Sequence, residues 1–305
     1  MDSALTTIGL PLALGIIMLG LGLGLTPEDF RRVARHPRAV AVALACQILL
    51  LPVVCFGLVH LFDLPPLLAI GMMLLAASPG GTSANLYSHL FRGDVALNVT
   101  LTAINSVLAI VTLPVITNLA IAYWDAGGTV SLQFAKVVEV FAVVLVPVAI
   151  GMVVRAARPG FAARMDRPVR VGSAVILAVL VLGVLLAELD NVVDYLGRVG
   201  LVAALFCTIS LAVGYYVPRA MGIVEGQAIA SSMEIGVHNG TLAIYVAVEV
   251  LDSVEISIPA AVYSIFMFVL AAVWGKVITR GRPRPGGRSP GAPDPGARSR
   301  PSPQA

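Results

Sequence analysis

Glu234 stands in an otherwise apolar stretch, within the run Glu234-Ile235-Gly236-Val237-His238-Asn239-Gly240-Thr241. No Lys or Arg accompanies it in that stretch, and an ionised carboxylate at such a depth is costly without a partner. It must therefore be protonated, bound to a cation, or open to a wet cavity. His238 follows at i+4, on the same face if a helix continues. Gly236 and Gly240 bracket that face and permit local unwinding. The chemistry on offer is an ion or proton site; a structural Glu–His hydrogen bond is the plain alternative.

A second run, Ser78-Pro79-Gly80-Gly81-Thr82-Ser83-Ala84-Asn85, interrupts another apolar stretch. Pro79 removes a backbone donor and the two glycines favour unwinding. Non-helical backbone at membrane depth survives only where protein or a watery cavity covers it. A packing kink would explain the proline but not the adjoining Thr82, Ser83 and Asn85. Asn98, Thr102 and Ser106, at i, i+4 and i+8, form a polar stripe, with Asn105 beside it. That stripe serves either a site or hydrogen bonds between helices. Gln47 is a lone amide in another apolar stretch and by itself says little.

The elements that carry these residues follow from composition. Of 305 residues, 58% are hydrophobic and 12% charged, and the mean hydropathy is +0.93. Soluble domains carry about 25% charged residues. The chain is an all-α polytopic membrane protein on this reading. Nine windows reach the roughly 20 apolar residues that a crossing helix needs, at about 4–25, 39–60, 66–88, 96–123, 134–154, 171–188, 199–217, 227–248 and 258–278. With Asp2 ahead of it and no basic lead, the first reads as a retained helix. Alternate loops and the tail hold 18 of the 20 basic residues, including Arg31, Arg32, Arg35 and Arg38 together and five arginines between 155 and 170. The positive-inside rule then predicts a cell-membrane protein with its N-terminus outside and its C-terminus in the cytoplasm. Residues 1–280 read as one transmembrane transporter domain. The Pro-, Gly- and Arg-rich segment 281–305 reads as a disordered cytoplasmic tail.

The two interrupted spans run in opposite directions, the pattern of secondary transporters with midplane sites. Half-helix N-termini there can hold an anion, and freed carbonyls a cation. The run Gly20-Leu21-Gly22-Leu23-Gly24 suits close helix contact. Motifs for nucleotide phosphates, zinc proteases and serine hydrolases are absent, and nothing points to nucleic acid or to an organic cofactor.

Ser78-Pro-Gly-Gly-Thr-Ser-Ala-Asn85, Arg92-Gly-Asp-Val-Ala-Leu97 and Glu234-Ile-Gly-Val-His-Asn239 together resemble the bile acid:sodium symporter family, over essentially Leu10 to Ile278. The resemblance implies inverted repeats with two discontinuous helices that cross, and a core domain (about 39–123 and 199–278) moving against a panel (about 4–25 and 134–188). The chain looks like the nine-helix form. By the same resemblance, a first sodium site would use Ala84, Asn85, Asn98, Thr102 and Glu234. Ala84 there replaces a frequent serine and offers only backbone, while Asn98 replaces a hydroxyl residue with a carbonyl oxygen. A second site would use Gln47, Glu234, His238 and the carbonyls of Ile235 and Val237. His238 stands where the family has glutamine, offering nitrogen where a hard cation prefers oxygen.

The resemblance thus implies a non-enzymatic, sodium-coupled symporter of an organic anion, bile-acid-like or a small carboxylate, working by alternating access among membrane lipid. Gly81, Thr82, Asn239 and Gly240 are the candidate substrate contacts. Proton coupling through Glu234 or His238 is the nearest alternative, and a non-transporting membrane sensor or binding protein is a further one. A related fold exports arsenite with a cysteine at the helix break; Cys46, Cys55 and Cys207 all lie away from both breaks.

Overall fold

The computed structural model describes residues 10–124, 134–187 and 192–280. The segments that begin the chain and form its tail, including the expected disordered residues 281–305, lie outside the described residues. Thirteen helices are described: α1 (Leu10–Gly24), α2 (Pro27–Arg35), α3 (Pro37–Ala45), α4 (Leu51–Leu61), α5 (Pro66–Ala77), α6 (Ser83–Leu90), α7 (Val95–Tyr123), α8 (Phe134–Ala157), α9 (Pro159–Ala187), α10 (Val192–Ala220), α11 (Glu225–Gly236), α12 (Gly240–Tyr245) and α13 (Val254–Ile278). Four continuous helices among them are long and apolar enough to cross a membrane: Pro37–Leu61, Val95–Tyr123, Gly197–Ala220 and Val254–Ile278. Large apolar side chains such as Leu49, Val53, Val111, Leu119 and Val269 face outward, while Asn98, Thr102, Glu234 and His238 are buried. That distribution fits a protein whose surroundings are hydrocarbon.

Two wide turns interrupt the helical ladder. Between α3 and α4, residues Cys46–Leu50 are π-helical, with Leu51 N–H donating to the Cys46 carbonyl. Pro52 follows at once; having no N–H for the preceding turn, it forces the ladder to open there. Gln47 sits inside this widened turn. A similar turn, Val246–Val250, continues α12.

Helix α1 packs against α8 and α9, whereas α5, α7, α10, α11 and α13 pack among themselves. The α1–α8 crossing is close. A Cβ on Gly22 would overlap the backbone of Val148, and one on Gly151 would overlap the backbone of Leu19, Gly22 and Leu23. Of the glycine run, Gly22 is thus a contact position, whereas a Cβ on Gly24 would meet nothing.

The expected loop 26–38 contains a helix instead. Thr26 N–H and Oγ1 both donate to Asp29 Oδ2 at 2.7 Å, and Asp29 N–H donates to the Thr26 carbonyl, which together cap the start of α2. The Thr26-Pro27-Glu28-Asp29 spacing is the signal for it, with proline at the first helical position. The single hydroxyl proton of Thr100 on α7 is shared between the Asp29 carbonyl at 2.9 Å and the Ala96 carbonyl at 2.8 Å, which sets α2 against α7.

Candidate functional site

The two interruptions meet. Helix α5 stops at Ala77 and α6 begins at Ser83; α11 stops at Gly236 and α12 begins at Gly240. Across the gap, Gly81 N–H donates to the Val237 carbonyl at 2.7 Å and Asn239 N–H to the Pro79 carbonyl at 2.8 Å. Gly80 and His238 are thereby joined in a one-residue antiparallel bridge. Backbone groups released by each break are satisfied by the other, which answers the cost of non-helical chain among apolar helices. The Asn239 N–H would close on the Ile235 carbonyl in an unbroken helix; here it is spent on Pro79.

Glu234, in the last turn of α11, is 1% exposed. Its Oε2 accepts a hydrogen bond from Thr102 Oγ1 at 2.5 Å, and Asn105 and Gly80 N–H also face the carboxyl group. Its Oε1 has no hydrogen-bond partner among the described residues. A Cβ on Gly80 would overlap the carboxyl group, so only glycine lets the first break come this near. The same-face placement of Glu234 and His238, expected only if the helix continued, does not arise. The helix ends between them, and no hydrogen bond joins the two side chains among the described contacts. The imidazole instead lies edge-on to Phe206 and Tyr263.

Helix α7 starts where the Arg92-Gly93-Asp94 turn places it. Asp94 caps it by accepting from Leu97 N–H at 3.0 Å, while its own N–H bonds to the Gly226 carbonyl. One turn on, Asn98 Nδ2 donates to the Ala230 carbonyl at 2.7 Å, leaving its Oδ1 buried without a partner among the described residues. Thr102 is also 3.0 Å from the Asn98 carbonyl. With one hydroxyl proton, it serves either that carbonyl or Glu234. Ser106 is satisfied locally by the Thr102 carbonyl. On the far side of Glu234, Trp274 donates to Ser232 and Ser232 to the Leu211 carbonyl, which holds α11 between α13 and α10.

Ala84 and Asn85 lie in the first turn of α6. Asn85 Oδ1 is buried and unpartnered among the described residues, and Ala84 is fully buried. Gln47 donates to the Ser78 carbonyl at 3.1 Å, while its Oε1 is buried without a partner. Ile235 and Val237 are fully buried, with one lone pair of the Val237 carbonyl engaged by Gly81. Of the eight buried side-chain oxygens that lack partners among the described residues, four belong to the expected sodium ligands, Gln47 Oε1, Asn85 Oδ1, Asn98 Oδ1 and Glu234 Oε1; the others are hydroxyls of Ser88, Thr117, Ser210 and Ser231. The first four suit a hard cation better than a transition metal. Among the described residues, no group of three or more His, Cys, Asp or Glu exists to hold a metal.

Gly81, Thr82, Asn239 and Gly240 line one small cavity together with Ser83, His238 and Thr241. Asn239 Oδ1 accepts from Leu242 N–H at 3.1 Å, which caps α12 and leaves the amide N–H pair for a ligand. The site also contains residues the sequence did not single out. Tyr263 donates to the Gly236 carbonyl at 2.8 Å and stands 3.5 Å from His238 Nδ1. Its signal was a tyrosine inside an apolar span, since a buried phenol needs a partner. Asn105 was visible only as a polar residue off the stripe.

The family model described as the Sodium Bile acid symporter family matches residues 11–195. The chain is 29% identical to the rice protein named probable sodium/metabolite cotransporter BASS2, chloroplastic, covering 90% of this chain and 64% of that protein's length. It is 27% identical to the Bacillus subtilis uncharacterized sodium-dependent transporter YocS, over 88% of this chain and 83% of the relative. The human ileal sodium/bile acid cotransporter is 23% identical over 87% of this chain and 77% of its own length.

Proposed function

The chain belongs to the Sodium Bile acid symporter family, and on that footing we propose that it is a secondary transporter coupling sodium to the passage of an organic anion. The observation that supports the coupling is that four of the expected sodium ligands carry buried oxygens without a partner among the described residues. Leaving such atoms unmade costs about 1–3 kcal/mol each, and a bound cation offsets that cost. Sodium as co-substrate would take Asn85 Oδ1, Asn98 Oδ1, Thr102 and Glu234, with Ala84 contributing backbone. A second ion would take Gln47 Oε1, Glu234, the Ile235 and Val237 carbonyls and His238. The names of the relatives, which pair sodium with a metabolite or a bile acid, support the same reading.

The anion would sit in the cavity between the breaks, against the Thr82 hydroxyl and the Asn239 amide, with Gly81 and Gly240 lining it while their own N–H groups stay bonded to the Val237 and His238 carbonyls. A core of α3–α7 and α10–α13 and a panel of α1, α8 and α9 are supported by the packing groups above, and nine crossings built as an inverted repeat would complete that arrangement. An outer N-terminus and a cytoplasmic C-terminus accord with the distribution of arginines.

One observation favours a proton at the second position. Tyr263 donates to the Gly236 carbonyl at 2.8 Å and stands 3.5 Å from His238 Nδ1, so the tautomer that fits this contact carries its proton on Nδ1. A neutral imidazole then leaves Nε2 as a bare acceptor, and that atom is buried without a partner among the described residues.

The deciding measurement uses purified protein in liposomes, with organic-anion uptake driven by a sodium gradient or by a pH gradient in choline. Sodium-driven accumulation that vanishes in Glu234→Ala establishes the first reading. Accumulation driven by the pH gradient alone replaces sodium with protons. Binding without accumulation under either gradient refutes transport and leaves a sensor.

A further inference from the structure

Helices α6, α7 and α11 pack on one another, and each carries two residues one turn apart near Glu234. Helix α6 runs from the first break toward the Arg92-Gly93-Asp94 turn and carries Ala84, then Ser88. Helices α7 and α11 run the opposite way, with Asn98 before Thr102 and Ala230 before Glu234. Ala84, Thr102 and Glu234 form the layer described above. Ser88, Asn98 and Ala230 form a second layer, one helical turn or about 5.4 Å nearer the turn. Two contacts tie it together. Asn98 Nδ2 donates to the Ala230 carbonyl at 2.7 Å, and a Cβ on Gly93 would meet both Ser88 Oγ and the Ala230 N.

This second layer holds no ionisable side chain, yet two of its oxygens are left over. Ser88 is fully buried and its hydroxyl has no partner among the described residues; Asn98 Oδ1 is in the same position. A serine inside a helix commonly donates to the carbonyl four residues back, as Ser106 and Ser264 do here. Ser88 does not. Gly93 covers this hydroxyl from the surface side. Its N–H donates to the Ser88 carbonyl at 2.7 Å, and it is partly exposed beside the exposed Arg92. A methyl group on Gly93 would overlap Ser88 Oγ, so the cover is backbone alone.

We propose that Ser88 Oγ and Asn98 Oδ1 form a way station through which sodium passes between the Glu234 site and the face bearing the Arg92-Gly93-Asp94 turn. That face is cytoplasmic in the topology proposed above. The way station rests on the sodium-coupled reading and adds a route to the same site. Two neutral oxygens suit a step of this kind. They replace part of a hydration shell, and they are too few and too weak to hold the ion.

The test uses silver, a monovalent thiol-binding cation close to sodium in size. Ser88→Cys, a change of one atom, is made in a parent carrying Cys46→Ala, Cys55→Ala and Cys207→Ala. Silver nitrate is added to one face of membrane vesicles of known orientation. The introduced thiol should be captured from the cytoplasmic face only. Sodium nitrate, against choline nitrate, should slow capture by about tenfold when the cation site is near saturation. Adding Gly93→Ala should slow it by about tenfold as well. Capture from the outer face, capture from neither, or a rate indifferent to sodium or to Gly93→Ala overturns the proposal. Thermal stabilisation by sodium is measured in parallel in wild type and Ser88→Ala, whose half-saturating concentrations should agree within about twofold. A larger shift makes Ser88 a ligand of the site itself and overturns the way station. Absence of any sodium effect in wild type removes the cation reading beneath it. Sodium stabilisation without silver access removes the route alone.

Discussion

Gly80 and Glu234 occupy each other's limits: a single methyl group on the glycine would stand where the glutamate's carboxyl group lies. The first break is therefore an electrostatic neighbour of the carboxylate as well as a gap in a helix. We expect Gly80→Ala to insert in the membrane and to lose sodium-dependent uptake. Overpacking costs about 1–3 kcal/mol, which at the site corresponds to roughly 5- to 150-fold in apparent sodium affinity. Unchanged sodium activation of uptake would show that the carboxyl group does not need this position.

Thr102 Oγ1 lies 2.5 Å from Glu234 Oε2, the nearer of its two possible hydrogen-bond partners, the other being the Asn98 carbonyl at 3.0 Å. Replacing it by valine keeps the shape and removes the donor, a change worth about 1–3 kcal/mol when the partner stays buried. Thr102→Val should raise the sodium concentration for half-maximal uptake by roughly tenfold or more, and Thr102→Ser should restore most of it. Equal curves for valine and threonine would remove Thr102 from the site.

Much of this site was legible before the structure, because membrane depth makes each polar residue conspicuous. Glu234, Asn98, Thr102 and the two glycine-rich interruptions stood out against apolar neighbours, and the structure brings them together. What sequence spacing could not supply was the pairing of Gly81 with Val237 and of Asn239 with Pro79. Helical periodicity put His238 beside Glu234, and the break sends it toward Tyr263 instead. Helix α2 was missed for a different reason: its charge reads as a loop between spans, and only the Thr26–Asp29 cap betrays it. Ile17, Leu177 and Met267, which also line the small cavity between the breaks, carry no signal at all, being apolar residues in apolar helices.

His238→Gln tests the nitrogen at the second position. Glutamine offers a carbonyl oxygen to a hard cation, so sodium dependence should strengthen, with a lower half-saturating concentration or a steeper curve. A sodium activation curve identical to wild type would reject the idea that histidine displaces a sodium ligand.

Asp29→Ala removes the cap of α2 while leaving the buried site untouched. Loss of an N-terminal cap costs about 1 kcal/mol. The thermal midpoint should fall by a few degrees, with substrate and sodium half-saturation within twofold of wild type. A collapse of sodium affinity would mean that α2 reaches the site through Thr100.

The hydrogen bonds that build the site span much of the chain: Asn98 reaches Ala230, and Thr102 reaches Glu234, each across 132 residues. During synthesis the first interruption enters the membrane long before the backbone that satisfies it exists. Contacts this far apart form late, so the nascent α5–α6 break must wait in a partly open state, with Gly81 N–H and the Pro79 carbonyl unpaired. A ribosome-arrested chain ending before residue 225 should therefore expose residues 78–85 to water-soluble thiol reagents when a cysteine is placed there. Completion of α11 and α12 should bury them, making the junction of the two breaks the closing event of assembly.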